Sequence, residues 1–479
     1  MARALSNGFV GRSVELAELD RLLAVIKQAN RLDRGTALLL RGRRRVGKSR
    51  LVTEFIARSG VPSVYFQAAR HTPPLEEFAT LARGIAASDL PDASRALHVS
   101  PPSLTEALEL LSDSLPADSP SIVVIDELPW LLEGIAGGTG QLQRVWDQRL
   151  SRKPVLLLLL GSDLGLMEAI NRPDQPFYAR ASEMVLRELS PANVAAMTGL
   201  DGPCAFDSYL ITGGLPQVAR EWEASESPAS FVARSFAQPT SALVISGQQV
   251  LADEFSDSRS ARAVLRAIGG RGERSRVRIE QTAGLSGTAL DATLEALNFK
   301  RVITADEPLS TRRAAKDRRW RVSDPALRFW LAMIAPVLGD IDRGRSDLAV
   351  KAFTASLPAW RGRAIEPVVR EALERRLPNE QFSSTRRVGG WWPRSNTPEI
   401  DLVGADKFPA TQITFTGTIK WRADAPLTAA EVANLRAQSS SVPGVGPATP
   451  VVAVCPSGVD SDVEIGAVWG ADQLLEAWR

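Results

Sequence analysis

One stretch decides the fold of this sequence: Gly42-Arg43-Arg44-Arg45-Val46-Gly47-Lys48-Ser49, which has the pattern G-x-x-x-x-G-K-S. The apolar run 36–40 precedes it, and residues 50–56 follow with apolar side chains at helical spacing. A buried strand, a glycine-containing loop and the start of a helix form the context in which this pattern cradles phosphate groups. The sequence therefore predicts a phosphate loop in an α/β domain.

The residues of this loop have different chemical tasks. Gly42 and Gly47 let backbone N–H groups turn inward around phosphate oxygens, and the helix N-terminus adds the positive end of its dipole. Lys48 is expected to reach the β- and γ-phosphates, and Ser49 to ligate Mg²⁺. We expect nucleotide contacts from Gly42, Arg45, Val46, Gly47, Lys48, Ser49 and Arg50.

A second buried strand delivers two carboxylates. The run 121–125 is apolar and β-branched, and it ends in Asp126 and Glu127. A buried parallel strand that brings an aspartate to the metal is the usual partner of a phosphate loop. We expect Asp126 to hold Mg²⁺ through water and Glu127 to polarise the attacking water. A merely solvated acidic pair is the alternative.

Two further positions are candidates for catalysis. Ser162 follows the apolar run 154–160, where it either senses the γ-phosphate and orients the water or is a simple turn residue. Arg180 is a candidate arginine finger for a neighbouring subunit. Because 49 of the 57 basic residues are arginines, a solvated Arg180 is almost as good an interpretation.

A combination of short motifs in the first half of the chain resembles the archaeal-type ATPases, a family of the AAA+-related STAND class. The matching motifs are F-V-G-R at 9–12, the phosphate loop at 42–49, D-E-L-P-W-L at 126–131, G-S at 161–162, P-F-Y-A-R at 176–180 and G-G-L-P at 213–216. The chain departs from the family at Phe177 and Ala179, where leucine and glycine are commoner. The resemblance implies an ATP- and Mg²⁺-dependent conformational switch with a helical lid, and it places Gly11 and Arg12 beside the nucleotide.

The middle of the chain has the outline of a winged helix. Three helical segments, 260–268, 279–283 and 290–297, are followed by two expected strands at 301–304 and 318–322. Residues 259–321 contain 15 basic and 7 acidic side chains, although the whole chain has a net charge of only +2. Five basic residues fall in the expected wing loop: Arg312, Arg313, Lys316, Arg318 and Arg319. This basic surface suits duplex DNA, whereas packing on the nucleotide domain is the alternative.

The last third resembles the PD-(D/E)xK nuclease-like domain that the family often carries after a D-P-x-x-R-F-W junction, present here at 324–330. The resemblance implies a second metal site made by Glu366, Asp401 and Lys420, with Glu399 as a substitute acid. Thr418 stands where the family has glutamate, and a hydroxyl brings no charge to a Mg²⁺ site. We therefore expect a degenerate scaffold that binds protein or DNA rather than an active nuclease.

The amino-acid composition limits the classes of protein to which this chain can belong. The chain has 479 residues, of which 44% are hydrophobic and 23% charged, so it is long enough for several folded domains and is not a disordered chain. Two cysteines and two histidines argue against a disulfide framework and a zinc site. Residues 1–6 show no leader peptide, and the longest apolar run is too short for a membrane helix. These features predict a cytoplasmic protein without membrane contacts.

We expect a multidomain α/β protein with a P-loop parallel sheet and helices on both of its faces. The predicted domains are the ATPase core at 1–189, a helical lid at 190–250, a winged helix at 251–330 and the nuclease-like α/β domain at 331–479. The predicted function is Mg²⁺-dependent ATP binding and hydrolysis used as a conformational switch. ATP-gated DNA binding or nuclease action is the alternative, and a protein partner and a nucleotide-dependent homo-oligomer are further expectations.

Overall fold

The computed structural model of the protein describes residues 9–28, 35–255, 258–422 and 424–479. The chain divides into two compact units, Met1–Glu188 and Leu189–Arg479. Residues 1–6, for which the sequence predicts no leader peptide, lie outside the described residues. Across the described ranges, no helix combines the length and the apolar character needed to cross a lipid bilayer.

The first unit is built on a five-stranded sheet in which all neighbouring strands are parallel. Its strands are β1 (Thr36–Arg41), β2 (Ser63–Gln67), β3 (Ser121–Asp126), β4 (Val155–Gly161) and β5 (Ala181–Val185), in the order β2-β3-β4-β1-β5. Every residue of β3 and β4 is buried. Continuous apolar strands of this kind are typical of a parallel sheet that is covered on both faces.

Helices cover both faces of this sheet. They are α1 (Ser13–Lys27), α2 (Lys48–Ser59), α3 (Pro74–Ala86), α4 (Leu104–Ser114), α5 (Leu128–Leu132), α6 (Gly138–Gln148) and α7 (Leu164–Ile170). Because successive strand residues point to opposite faces, Leu38 and Leu40 share a core with α1 and α2, whereas Leu39 packs with α3, α4 and α6. The predicted P-loop sheet with helices on both faces is confirmed.

The strand order positions the site. The carboxyl ends of parallel strands lie at one edge of the sheet, where α/β proteins bind their ligands. The phosphate loop follows β1, and Asp126 ends β3. β4 lies between these two strands, so Gly161 and Ser162 emerge between the loop and the acidic pair.

The second unit begins with helices only. They are α8 (Pro191–Thr198), α9 (Gly202–Thr212), α10 (Pro216–Ala219), α11 (Pro228–Phe236) and α12 (Ala242–Phe255). Gly213, of the motif at 213–216, has φ 61°, and a Cβ there would lie 2.2 Å from the backbone nitrogen of Ala326. Only glycine fits this position, so the motif ties these helices to the junction at 324–330.

A compact subdomain of three helices and a small sheet follows. Its elements are α13 (Arg259–Ile268), β6 (Arg274–Ser275), α14 (Arg276–Ala283), α15 (Gly287–Phe299), β7 (Ile303–Asp306) and β8 (Arg319–Val322), with the antiparallel strand order β6-β8-β7. The first long strand begins at Ile303 rather than at residue 301, because Arg301 adopts a left-handed backbone conformation, φ 56°, after α15. β6 was not predicted.

The remainder packs a mixed sheet against a long helix. Its helices are α16 (Pro325–Phe329), which continues into a π-helical turn at Trp330–Ile334, α17 (Leu338–Asp342), α18 (Ser346–Arg376), α19 (Ala429–Ser439) and α20 (Ala471–Leu475). Its strands are β9 (Arg387–Trp391), β10 (Ile400–Ala405), β11 (Ile413–Ile419), β12 (Val451–Val454) and β13 (Ala467–Trp469), in the order β13-β12-β11-β10-β9. β9 to β11 are antiparallel, and β11 to β13 are parallel. The protein is therefore a multidomain α/β protein with a separate mixed sheet in its C-terminal part.

Candidate active site

The phosphate loop has the backbone shape that its pattern predicts. Arg45 and Gly47 adopt left-handed conformations, φ 69° and 95°. A Cβ on Gly42 would lie 2.5 Å from the carbonyl oxygen of Leu186, so this position requires glycine. The buried ammonium of Lys48 donates to the carbonyl oxygens of Gly42 at 2.7 Å and Arg43 at 3.1 Å. The lysine is therefore held at the mouth of the loop.

A cluster of oxygen atoms lies at the end of β3. Ser49 Oγ donates to Asp126 Oδ2 at 2.7 Å, and the hydroxyl of Tyr65 donates to the same oxygen. The backbone nitrogen of Glu127 donates to Asp126 Oδ1 at 3.0 Å. A serine hydroxyl and a carboxylate are hard oxygen ligands of the kind that Mg²⁺ prefers, so this donor set fits the expected cation.

Tyr65 is a site residue that the sequence did not reveal. It lies on β2, which pairs with β3 in parallel register. Burial, together with the hydrogen bond to Asp126, raises the pKa of the Tyr65 hydroxyl well above its ordinary value. The tyrosine therefore stays protonated and acts as a hydrogen-bond donor that orients the aspartate.

Glu127 and Ser162 meet at the carboxyl edge of the sheet. Glu127 Oε2 accepts hydrogen bonds from Ser162 Oγ at 2.9 Å and from the Ser162 backbone nitrogen at 3.2 Å. Glu127 also has φ 56°, a conformation that costs a non-glycine residue about 1–3 kcal/mol and is found mainly at functional sites. The strained turn directs the carboxylate along the sheet edge instead of continuing the strand.

The side chain of Arg12 contacts the backbone of the phosphate loop. Its guanidinium donates to the carbonyl oxygens of Val46 at 2.8 Å and Arg187 at 2.7 Å, and it pairs with Glu15 at 3.1 Å. Burial lowers the pKa of Arg12, although Glu15 opposes this shift. Gly11 and Arg12 both have positive φ angles, 76° and 62°. The structure thus places Arg12 against the backbone of the loop, while Arg50 is exposed on α2.

Arg180 forms contacts within its own chain. Its guanidinium donates to both carboxylate oxygens of Asp147 at 2.8 Å, and to the carbonyl oxygens of Pro176 and Tyr178. The buried ring of Phe177 packs edge-on against Trp146 of α6. These contacts hold the segment 176–180 on α6, and the arginine-finger role stays a prediction.

The acids expected in the C-terminal site are paired with arginines. Glu366 lies on α18 and accepts from Arg363 at 3.2 Å and Arg370 at 3.1 Å. Glu399 accepts from Arg363 at 2.9 Å and from Arg319 at 2.7 Å. Burial raises the pKa of Glu366 to about 7, against the opposing effect of Arg370. A buried acid that is already paired with two arginines is a poor ligand for Mg²⁺.

Asp401 and Lys420 are the other residues of this expected metal site. Asp401 Oδ2 accepts hydrogen bonds from Thr418 Oγ1 at 2.8 Å and from the backbone nitrogen of Ile419 at 2.9 Å. Lys420 follows the end of β11. Among the described residues, no group of three or more His, Cys, Asp or Glu side chains is placed to hold a metal ion. The donor set at Glu366, Asp401 and Lys420 therefore fits a metal poorly.

The basic residues of the loop that joins β7 to β8, the expected wing loop, lie in different environments. The Arg319 guanidinium lies 4.2 Å from the ring centre of Trp392 and donates to Glu399. Arg318 pairs with Glu307. Arg313 lies 4.0 Å from the same glutamate. Four basic side chains of the loop are exposed: Arg312, Arg313, Lys316 and Arg318.

The first part of the same loop packs on the C-terminal sheet. Leu309 is buried in a core with β9, β10 and β11, and its backbone nitrogen donates to the carbonyl oxygen of Gly390 at 2.9 Å. The backbone nitrogen of Thr311 donates to the carbonyl oxygen of Pro443 at 3.2 Å. Only the tip of the loop is therefore free to meet another molecule.

Comparisons with known proteins give limited information. Residues 330–435 match the family model DUF234, described as archaeal and bacterial proteins of unknown function. No curated protein matches the chain.

Several solved structures are similar to parts of this chain. A Walker-type ATPase of Pyrococcus abyssi is 20% identical, with 67% of this chain and 96% of that chain covered and a TM-score of 0.48. The ORC2 protein of Aeropyrum pernix, in ADPNP and ADP complexes, is 14% identical, with coverages of 74% and 99% and a TM-score of 0.46. The ORC1 protein of Aeropyrum pernix, in complex with DNA, is 17% identical, with coverages of 74% and 97% and a TM-score of 0.33.

Proposed function

We propose that the first unit binds ATP with Mg²⁺ and hydrolyses it, and that the protein uses the nucleotide state as a conformational switch. The observation that carries this proposal is the convergence of Lys48, Ser49, Asp126, Glu127 and Ser162 at one edge of a parallel sheet. Phosphoryl transfer needs little covalent help, so positioned charges and a held water are sufficient for catalysis.

The residues have distinct roles in this proposal. The loop 42–49 would hold the phosphates through its backbone N–H groups, and Lys48 would neutralise the β- and γ-phosphates. Ser49 would ligate Mg²⁺ directly, and Asp126 would hold it through water, with Tyr65 orienting the carboxylate. Mg²⁺, when bound, neutralises charge that develops on the phosphate oxygens. Glu127 would accept a proton from the attacking water, positioned by Ser162.

The second unit would carry the output of the switch. We propose that residues 190–250 act as the lid, that 251–330 form a winged helix, and that 331–479 have a nuclease-like scaffold without nuclease activity. The winged-helix proposal is supported by the three helices and the antiparallel order β6-β8-β7. The proposed loss of nuclease activity is supported by the arginine partners of Glu366 and Glu399.

The test is ATP turnover by the full chain. Lys48→Ala should abolish both nucleotide binding and turnover, whereas Glu127→Gln should abolish turnover but keep binding, because it leaves the loop intact. Matched controls are Lys27→Ala and Glu133→Gln, which change exposed residues outside the site. Turnover that is equal in wild type, Lys48→Ala and Glu127→Gln would refute the proposal.

A second candidate function, nucleotide-gated binding of duplex DNA, is favoured by one observation. The tip of the wing loop exposes Arg312, Arg313 and Lys316, whereas its base is packed on the C-terminal sheet. Phosphate contacts from such side chains produce an affinity that falls steeply with salt. Duplex binding should therefore weaken when these three residues are changed to alanine, and it should differ between ATP and ADP. Absence of duplex binding at low salt would exclude this function.

A further inference from the structure

A polar cavity in the second unit has an unusual charge balance. It has a volume of about 630 Å³ and lies between the three-helix subdomain and α18. Seven arginines and three glutamates line it, a formal excess of four positive charges. This volume is within the range of about 300–1,000 Å³ typical of small-molecule sites.

Ion pairs order one wall of the cavity. Arg319 and Arg363 share Glu399, and Arg363 also reaches Glu366. All three glutamates of the lining accept from arginines, since Glu273 lies 3.5 Å from Arg319. Each carboxylate is thus already neutralised, so a cation entering the cavity would find no free acid.

The other wall holds arginines of a different kind. Arg271 lies in the loop after α13, Arg274 lies on β6 and Arg278 lies on α14. Arg271 donates to the backbone carbonyl oxygen of Ala332, and Arg274 donates to that of Glu273. In the part of the chain that the structure describes, none of these three guanidinium groups forms an ion pair with a carboxylate. The abundance of arginine in the chain does not explain the excess of positive charge in the cavity lining, because the net charge of the whole chain is only +2.

We propose that this cavity binds a small phosphate-bearing anion without a metal ion. Guanidinium groups offer parallel N–H donors that match phosphate oxygens, and they keep their charge at any physiological pH. Like charges gathered around a cavity repel one another, and an anion removes that repulsion. The Mg²⁺ site implied by the family resemblance at Glu366 is thus replaced by a site for the opposite charge.

A deeply bound small anion is favoured over a nucleic-acid backbone. Glu366 and the guanidinium of Arg328 line the cavity and are almost fully buried, which a groove that tracks a duplex does not require. Arg328 donates to the carbonyl oxygens of Gly270, Arg363 and Ala364, so its guanidinium is held rigidly at the base. The expected ligand therefore has the size of a mononucleotide or a smaller phosphate ester.

The experiment uses inorganic pyrophosphate as the probe and the full chain carrying Lys48→Ala, which weakens binding at the phosphate loop. Calorimetric titration in EDTA should show saturable binding. The additional double variant Arg274→Ala/Arg278→Ala should weaken it at least about tenfold, since two charge-assisted contacts are lost. The control Arg262→Ala/Arg266→Ala changes two arginines of α13 that do not line the cavity, and it should leave the affinity unchanged.

Three outcomes would overturn the proposal. They are absence of saturable binding in the Lys48→Ala protein, equal affinities of the two double variants, and a requirement for Mg²⁺. A parallel titration with a duplex oligonucleotide separates the sources of phosphate, because tight duplex binding without pyrophosphate binding would also contradict a small-anion site. If the double alanine variant fails to fold, Arg278→Gln alone tests the same contact, since Arg278 is exposed.

Discussion

The contact between Ser162 and Glu127 allows a quantitative prediction for Ser162→Ala. The serine hydroxyl donates to Glu127 Oε2 at 2.9 Å, and the Ser162 backbone nitrogen donates to the same oxygen at 3.2 Å. Alanine removes the first bond and keeps the second, so the carboxylate loses part of its support. The contact of this hydroxyl with the phosphate loop is a long hydrogen bond from Arg44 Nε at 3.5 Å, so nucleotide affinity should fall much less than kcat.

The magnitude follows from the kind of bond. A hydrogen bond to a charged acceptor contributes about 1.5–3 kcal/mol. At about 1.4 kcal/mol for each factor of ten, kcat should fall by roughly tenfold to a hundredfold. Because Glu127 retains its backbone donor, the loss should stay well below that of Glu127→Gln.

Steady-state phosphate release would measure kcat, and a fluorescent-nucleotide titration would measure nucleotide affinity separately. Ser182→Ala is the matched control, since Ser182 is an exposed residue of β5 in the same sheet. An unchanged kcat in Ser162→Ala would contradict this role of the serine.

Three other predictions concern separate parts of the molecule. Tyr65→Phe removes a hydrogen-bond donor to Asp126 Oδ2 without changing ring packing. The Mg²⁺ concentration for half-maximal turnover should therefore rise about tenfold, which corresponds to the lower end of the energy range of hydrogen bonds to charged groups. An unchanged Mg²⁺ titration would contradict this role. Arg12→Ala leaves two carbonyl oxygens without their donor and should lower the unfolding free energy of the first unit by about 2–4 kcal/mol in urea denaturation, whereas Arg21→Ala, which changes an exposed residue, should leave this free energy nearly unchanged. The wild-type chain should cleave neither single- nor double-stranded DNA with Mg²⁺ or Mn²⁺, and robust cleavage that disappears in Asp401→Ala would show that the nuclease site is intact.

The phosphate loop and its strands were predictable because their information is local. A strand, eight loop residues and a helix start are contiguous in the chain, and their backbone shape depends on glycines at 42 and 47. The same holds for the acidic end of β3 and for the buried run of β4, whose apolar continuity indicates a parallel sheet. The helices α13, α14 and α15 were likewise predicted from apolar spacing, while the two-residue strand β6 was too short to leave a pattern.

The hydrogen bonds between side chains of the candidate site depend on which strands are neighbours in the sheet. Tyr65 reaches Asp126 only because β2 lies beside β3, and Ser162 reaches Glu127 only because β4 is inserted between β1 and β3. Strand order results from packing among helices that are far apart in the chain, so no local pattern encodes it.

The sequence by itself thus determined a P-loop α/β unit and the types of residue at the carboxyl edge of its sheet. Only the tertiary structure decided which acidic and basic side chains of the second unit form ion pairs. Glu366 and Glu399 appear as metal ligands in the linear sequence, but folding brings Arg319, Arg363 and Arg370 against them. Electrostatic interactions depend on distance in space rather than along the chain, which is why a predicted cation site became a cavity with excess positive charge.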